Sequence, residues 1–292
     1  MSSAAATINL QHLFSDLTSE SRALKNTRLL TKRLLTSGEH GNFRTAFRGQ
    51  GLQLKNLREY APGDDVRHIH WAASARSQRV QLKNFEDERT LRVIVLLDIS
   101  PSALCDEQFI RRYIEFFSLI CALCDINMDL VGFGFFAPEL LELAPPAAPK
   151  SALQKFRAAL AALPVRESTD LKRTLADLVR RERTRALIII VSDFACEDFS
   201  AELKSLAAAH DVVGILRERP KLPESGLVWV QDAEDKSLRV LDCSDSAVKA
   251  DYERAWNEHR DALLRTFRGV GAKLIQFSTP IQTVRDLARR QR

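Results

Sequence analysis

Arg92-Val93-Ile94-Val95-Leu96-Leu97 runs directly into Asp98-Ile99-Ser100-Pro101-Ser102. After Arg92 come five apolar residues without alternation, three of them β-branched. That pattern predicts a short strand buried on both faces, as in a parallel sheet. The strand then stops on a carboxylate followed by two hydroxyls, an Asp-x-Ser-x-Ser motif.

Working outward, Gln108–Asp125 predicts a long helix, and Asp129–Phe136 with Glu139–Leu143 a strand pair turning at Ala137-Pro138. A Pro/Ala linker leads to helices over Ser151–Leu163 and from Asp170 to Arg183. Ala186–Val191 (ALIIIV) predicts a second central strand, Ala201–Ala209 a helix and Val212–Leu216 a third central strand. Leu227–Gln231 and Leu238–Leu241 predict a small antiparallel excursion. Ala247–Phe267 reads as helix, Ala272–Phe277 as a last strand and Ile281–Arg290 as a closing helix. Strand and helix alternating in this way predict an α/β architecture: an open, mostly parallel sheet with helices on both faces. Residues 1–90 have another texture. A helix is predicted over Arg22–Leu35, then Gly- and Arg-rich sequence, then a strand near Val80–Phe85. The expected division is a small β- and turn-rich N-terminal region, 1–90, and an α/β domain, 91–292.

In open α/β sheets, ligands bind beyond the carboxyl ends of the strands. There the second central strand ends in Ser192-Asp193-Phe194, and Ser168-Thr169-Asp170 opens a helix whose preceding loop reaches the same edge. Asp98, Ser100, Ser102, Thr169 and Asp193 form an all-oxygen set. Such a set suits a hard, octahedral cation, Mg²⁺ or Mn²⁺, and leaves water or an outside ligand to complete the shell.

The chain has 292 residues, 45% of them hydrophobic, enough to bury a core and too apolar for wholesale disorder. No apolar run approaches the roughly 18 residues of a membrane span, and the N-terminus has no signal-peptide pattern. Five cysteines, an odd count, argue against a disulfide framework and for a reducing cytoplasm. Cys121 and Cys124 form a C-x-x-C inside an apolar helical run, which reads as core. The net charge of +5 lies in residues 1–90, with 14 Lys/Arg against 9 Asp/Glu. A basic surplus can meet nucleic acid, but no zinc-finger, RNP or basic-helix pattern accompanies it.

LREYAPGDDVRHIHWAASAR, continuing to LLDISPSA, resembles the bacterial family called domain of unknown function 58. The specific match covers about 41–102. The resemblance implies a Rossmann-like von Willebrand factor A-type domain, in which Asp98, Ser100, Ser102, Thr169 and Asp193 correspond to the metal-ion-dependent adhesion site. Family members often carry Met where this chain has Ala103, and Gly-Gly where it has Glu167-Ser168. The resemblance further implies a non-enzymatic protein-binding module, an adaptor or co-chaperone of a MoxR-type AAA+ ATPase acting on a client protein. Arg58, Glu59, Tyr60, Asp64, Asp65, Arg67, Trp71 and Arg76, around the Ala61-Pro62-Gly63-Asp64 turn, are candidates for docking the ATPase or for a salt-bridged clamp. His68 and His70 read as structural. Two alternatives remain at this point. A strand-end phosphohydrolase of the dehalogenase type would use Asp98 but needs a second carboxylate where Ser100 stands. A basic nucleic-acid-binding protein would show steep salt dependence.

Overall fold

The computed structural model describes residues 54–61, 69–77, 79–85, 90–100, 103, 107–162, 170–218, 222–231 and 238–288. The predicted helix over Arg22–Leu35 lies outside them, as do His68, Asp64, Asp65 and Arg67.

In the N-terminal region, β1 (Leu54–Glu59) and β2 (Gln81–Phe85) pair antiparallel, with α1 (Trp71–Ser77) between them. The sequence reading anticipated β2 but neither β1 nor α1. His70 begins that helix: its Nδ1 accepts from Ala73 N–H at 3.2 Å, and its own N–H donates to Gln81 O. The Ser74 hydroxyl then accepts Gln81 N–H at 2.8 Å, tying the helix to β2. His70 is therefore a structural residue.

The rest is built on β3 (Arg92–Asp98), β4 (Leu130–Phe136), β5 (Leu140–Ala147), β6 (Leu187–Ser192), β7 (Asp211–Leu216) and β10 (Lys273–Gln276). The strands form one sheet in the order β10-β7-β6-β3-β4-β5. All neighbours are parallel except β4 and β5. β5 continues to Ala147 through Pro145-Pro146, beyond the predicted end at Leu143. An edge strand needs fewer N–H donors, so prolines are tolerated there.

Alternate residues of each strand face opposite sides, and this builds two cores. Val93, Val95 and Leu97 pack with residues of α2 (Glu107–Ile126), α3 (Pro149–Ala161) and α7 (Pro280–Ala288). Ile94 and Leu96 pack with α4 (Leu171–Arg181), α5 (Ser200–Ala209) and α6 (Ser246–Gly269). Cys121 and Cys124 are buried in α2, and burial holds both thiols well above their usual range. Gly214 of β7 sits under the Phe267 ring, which a Cβ there would meet at 2.5 Å, so α6 can approach the sheet only because this position has no side chain. A separate hairpin, β8 (Leu227–Gln231) with β9 (Leu238–Asp242), precedes α6. Among the described residues no helix is long and apolar enough to cross a membrane.

His210, at the carboxyl end of α5, is buried. Burial lowers its pKa, against an opposing pull from Glu182. A histidine held neutral by the fold contributes stability that is complete above its unfolded pKa of about 6.5 and is lost as pH falls through that value. The melting midpoint is therefore expected to drop by a few degrees between pH 7.5 and 5.5, roughly 2–4 °C per kcal/mol for a domain of this size. His210→Gln should flatten that slope; an unchanged slope would remove His210 from the explanation.

Candidate metal centre

The chain leaves β3 toward β4 and β5 on one side, then returns to lay β6 and β7 on the other. The carboxyl ends of β3 and β6 thus flank the point where strand order reverses. In open α/β sheets that point is where ligands bind. Leu97 is in register with Val191, so Asp98 and Ser192 end their strands side by side.

Asp98 is 1% exposed. Its Oδ1 accepts Ser100 N–H at 2.9 Å, and its Oδ2 accepts the Ser192 hydroxyl at 2.6 Å. Burial, followed by the negative charge of Asp193, pushes the Asp98 carboxyl above the usual carboxylate range; the hydrogen bonds from Ser192 and Ser100 pull it back only in part. Ser192 is fixed in turn, because its Oγ accepts Phe194 N–H at 2.9 Å. Phe194 has φ of 54°, a left-handed conformation that costs a non-glycine residue about 1 kcal/mol. Its ring is held by Phe199 and Phe267, at centroid distances of 5.9 and 5.3 Å. This packing stabilises a sharp turn directly after Asp193.

Asp193 Oδ1 accepts Ala195 N–H at 3.1 Å, and Oδ2 is bound by the Arg217 guanidinium at 2.5 Å. Its backbone oxygen meets His259 Nε2 of α6 at 2.8 Å. Arg217 follows the last residue of β7, where its N–H donates to Ser192 O. It is 8% exposed and lies over the Phe109 ring at 5.3 Å. Tyr113 is buried on the neighbouring turn of α2. Its hydroxyl is held well above its usual pKa, chiefly by burial, with Arg217 opposing.

The amino terminus of α4 completes the rim. Asp170 caps it by accepting Arg173 N–H at 2.8 Å, and Asp170 N–H donates to Ala137 O just beyond β4. Cys196, in the loop after Asp193, accepts from the Leu171 backbone; burial and the charges of Asp98 and Asp193 push its thiol up to about 12. That is an unreactive thiol.

Of the five residues predicted for the site, Asp98, Ser100 and Asp193 come together at one sheet edge. Ser102 and Thr169 lie outside the described residues. Among the described residues no three of His, Cys, Asp and Glu gather as a metal cluster. An ion here would therefore rest on two carboxylates, hydroxyl oxygens and water. That donor set fits a hard cation, and the mutual repulsion of two strand-end carboxylates is the potential such an ion would relieve.

Sequence reasoning missed Ser192 and Arg217. Both were within reach of the argument already applied to Asp98. Ser192 ends the second central strand and Arg217 follows the third, so all three meet the same edge. Of the docking candidates, Glu59 is exposed and pairs with Arg79 at 2.5 Å, and Trp71 is 71% exposed at the start of α1. Tyr60 N–H donates to Val80 O, Arg76 lies in the last turn of α1, and Arg58 pairs with Leu82 across β1 and β2.

A family model described as "Protein of unknown function DUF58" matches residues 56–262. The uncharacterized protein Rv1480 of Mycobacterium tuberculosis is 28% identical over 279 residues, covering 91% of this chain and 87% of that one. The uncharacterized protein MAV169 of Mycobacterium avium is 32% identical over 130 residues, 43% of this chain and 76% of that one. Among solved structures, the conserved hypothetical protein BatB of Bacteroides thetaiotaomicron matches with a TM-score of 0.46 at 14% identity, covering 68% of this chain and 95% of that one. An aerotolerance-related membrane protein of Bacteroides fragilis gives 0.45 at 15%, covering 68% and 96%. A von Willebrand factor type A protein of Catenulispora acidiphila gives 0.38 at 11%, covering 68% and 42%.

Proposed function

Given that the chain belongs to the DUF58 family, with a von Willebrand factor A-like fold, we propose that it is a metal-dependent protein-binding module rather than an enzyme. The observation that carries this reading is Asp98. It is a carboxylate buried at the topological switch point, beside a second strand-end carboxylate, in a setting that disfavours its charge. Asp98, Ser100 and Asp193, with Ser102 and Thr169, would hold Mg²⁺ or Mn²⁺. When bound, such an ion supplies a coordination position for an acidic side chain of a partner. The chain's own part is to fix the ligands: Ser192 and the Ser100 backbone orient Asp98, and the Phe194 turn and Arg217 orient Asp193.

The partner implied by the resemblance is a MoxR-type AAA+ ATPase, with this chain as adaptor or co-chaperone for a client in the cytoplasm. Calorimetric titration with Mn²⁺ tests the metal reading. The wild type should bind saturably and Asp98→Asn should not; absence of binding by the wild type would overturn it.

Among the described residues of the site, no general base is bonded to a nucleophile. The Ser192 hydroxyl is committed to Asp98, and His259 bonds a backbone oxygen rather than a nucleophile. Purified protein with Mg²⁺ or Mn²⁺ is expected to leave phosphoesters and nucleoside triphosphates intact. Metal-dependent hydrolysis that disappears in Asp98→Asn would restore the phosphohydrolase alternative.

A further inference from the structure

We infer that Arg217 is a resident counter-cation of this site, which weakens its hold on a divalent ion alone and makes the ion and an incoming carboxylate bind as a pair. The inference rests on the metal reading above. Its ground is the ion pair between buried Arg217 and half-buried Asp193, a residue of the proposed ligand set.

Arg217 is held in place at three points. Its backbone N–H is bonded to Ser192 O, it lies over the Phe109 ring, and its Nη2 is fixed on Asp193 Oδ2. An arginine does not lose its proton at any relevant pH, so its charge is permanent. With Asp98 and Asp193 ionised, the three groups sum to one negative charge. A divalent ion would turn that into one positive charge. That added positive charge favours one further anion, such as a single Glu or Asp side chain. Without Arg217 the two carboxylates and the ion would already balance. The ion would bind more tightly, and nothing in the charge count would call for a carboxylate. Arg217 thus gives up affinity for the bare ion and gains selectivity for an acidic ligand, a coupling that must be reciprocal between ion and anion. In the ion-free protein the same guanidinium is paired with Asp193.

The test is Mn²⁺ titration by electron paramagnetic resonance, in chloride and in acetate buffer, on the full chain with Arg217→Met and Arg217→Lys. In chloride, Arg217→Met should bind Mn²⁺ at least tenfold more tightly than the wild type, and Arg217→Lys should stay near it. Acetate should tighten Mn²⁺ binding to the wild type and not to Arg217→Met. Thermal melts under EDTA give a second readout, in which Arg217→Met should lose stability that Mn²⁺ restores. If the wild type binds Mn²⁺ and Arg217→Met binds it no more tightly, the inference is overturned and the metal site stands. Equal acetate effects on both proteins would also overturn the coupling. An Arg217→Met protein unfolded at every Mn²⁺ concentration would make the guanidinium an irreplaceable structural cation and overturn the inference. Failure of every variant, the wild type included, to bind Mn²⁺ would remove the metal reading itself.

Discussion

Asp98→Asn is expected to melt a few degrees above the wild type in EDTA and to lose the stabilisation that Mg²⁺ or Mn²⁺ gives the wild type. Both halves follow from one buried carboxylate. Its folded pKa is raised by burial and by Asp193, so the ionised form carries a cost at neutral pH. That cost is absent below the unfolded pKa and complete above the folded one. Asparagine keeps an acceptor for Ser100 N–H and removes the charge. Any such gain raises the melting midpoint by ~2–4 °C per kcal/mol in a domain of this size. Sites built for binding commonly trade stability in this way. An ion that binds only the folded wild type adds about 2.7 kcal/mol at one hundred times its dissociation constant. Differential scanning calorimetry with EDTA, Mg²⁺ and Mn²⁺ measures both effects. Asp98→Asn melting below the wild type in EDTA would show that the Ser192 hydrogen bond outweighs the buried charge. A divalent shift surviving in Asp98→Asn would place the ion elsewhere.

The second large effect concerns the partner. If a carboxylate of the MoxR-type ATPase completes the coordination shell, EDTA should dissociate the complex. Ser102→Ala, which removes an oxygen ligand without changing charge, should weaken it at least tenfold, about 1.4 kcal/mol. Circular dichroism should stay native, since the substitution removes one hydroxyl and adds neither charge nor bulk. Surface plasmon resonance with the purified ATPase, with and without Mg²⁺, reads the result. A complex indifferent both to EDTA and to Ser102→Ala would move the interface to the Arg58–Arg76 segment. There the exposed Trp71 and the Glu59–Arg79 pair are the first positions to change.

The sequence alone determined the α/β class and the central strands, because β3, β6 and β7 are continuous apolar runs that only a doubly covered sheet can bury. It also marked Asp98 and Asp193, because a polar residue directly after such a run must stand at a strand end. It failed at β1 and α1, whose stretches carry little apolar periodicity; what ties α1 down is a set of local bonds from His70 and Ser74. It stopped β5 too early because proline argues against strand until the strand is known to be an edge. The tertiary structure decided the rest. Only the order β10-β7-β6-β3-β4-β5 makes Asp98 and Asp193 neighbours, since β3 and β6 are separated in sequence by α2, the β4–β5 pair, α3 and α4. Only the packing of α2 against the end of β7 buries Arg217 over Phe109 and aims it at Asp193. Strand identity is a local property of side-chain pattern. Which strand ends share a crevice, and which charge balances which, depends on sheet order and helix placement, and no local pattern encodes either.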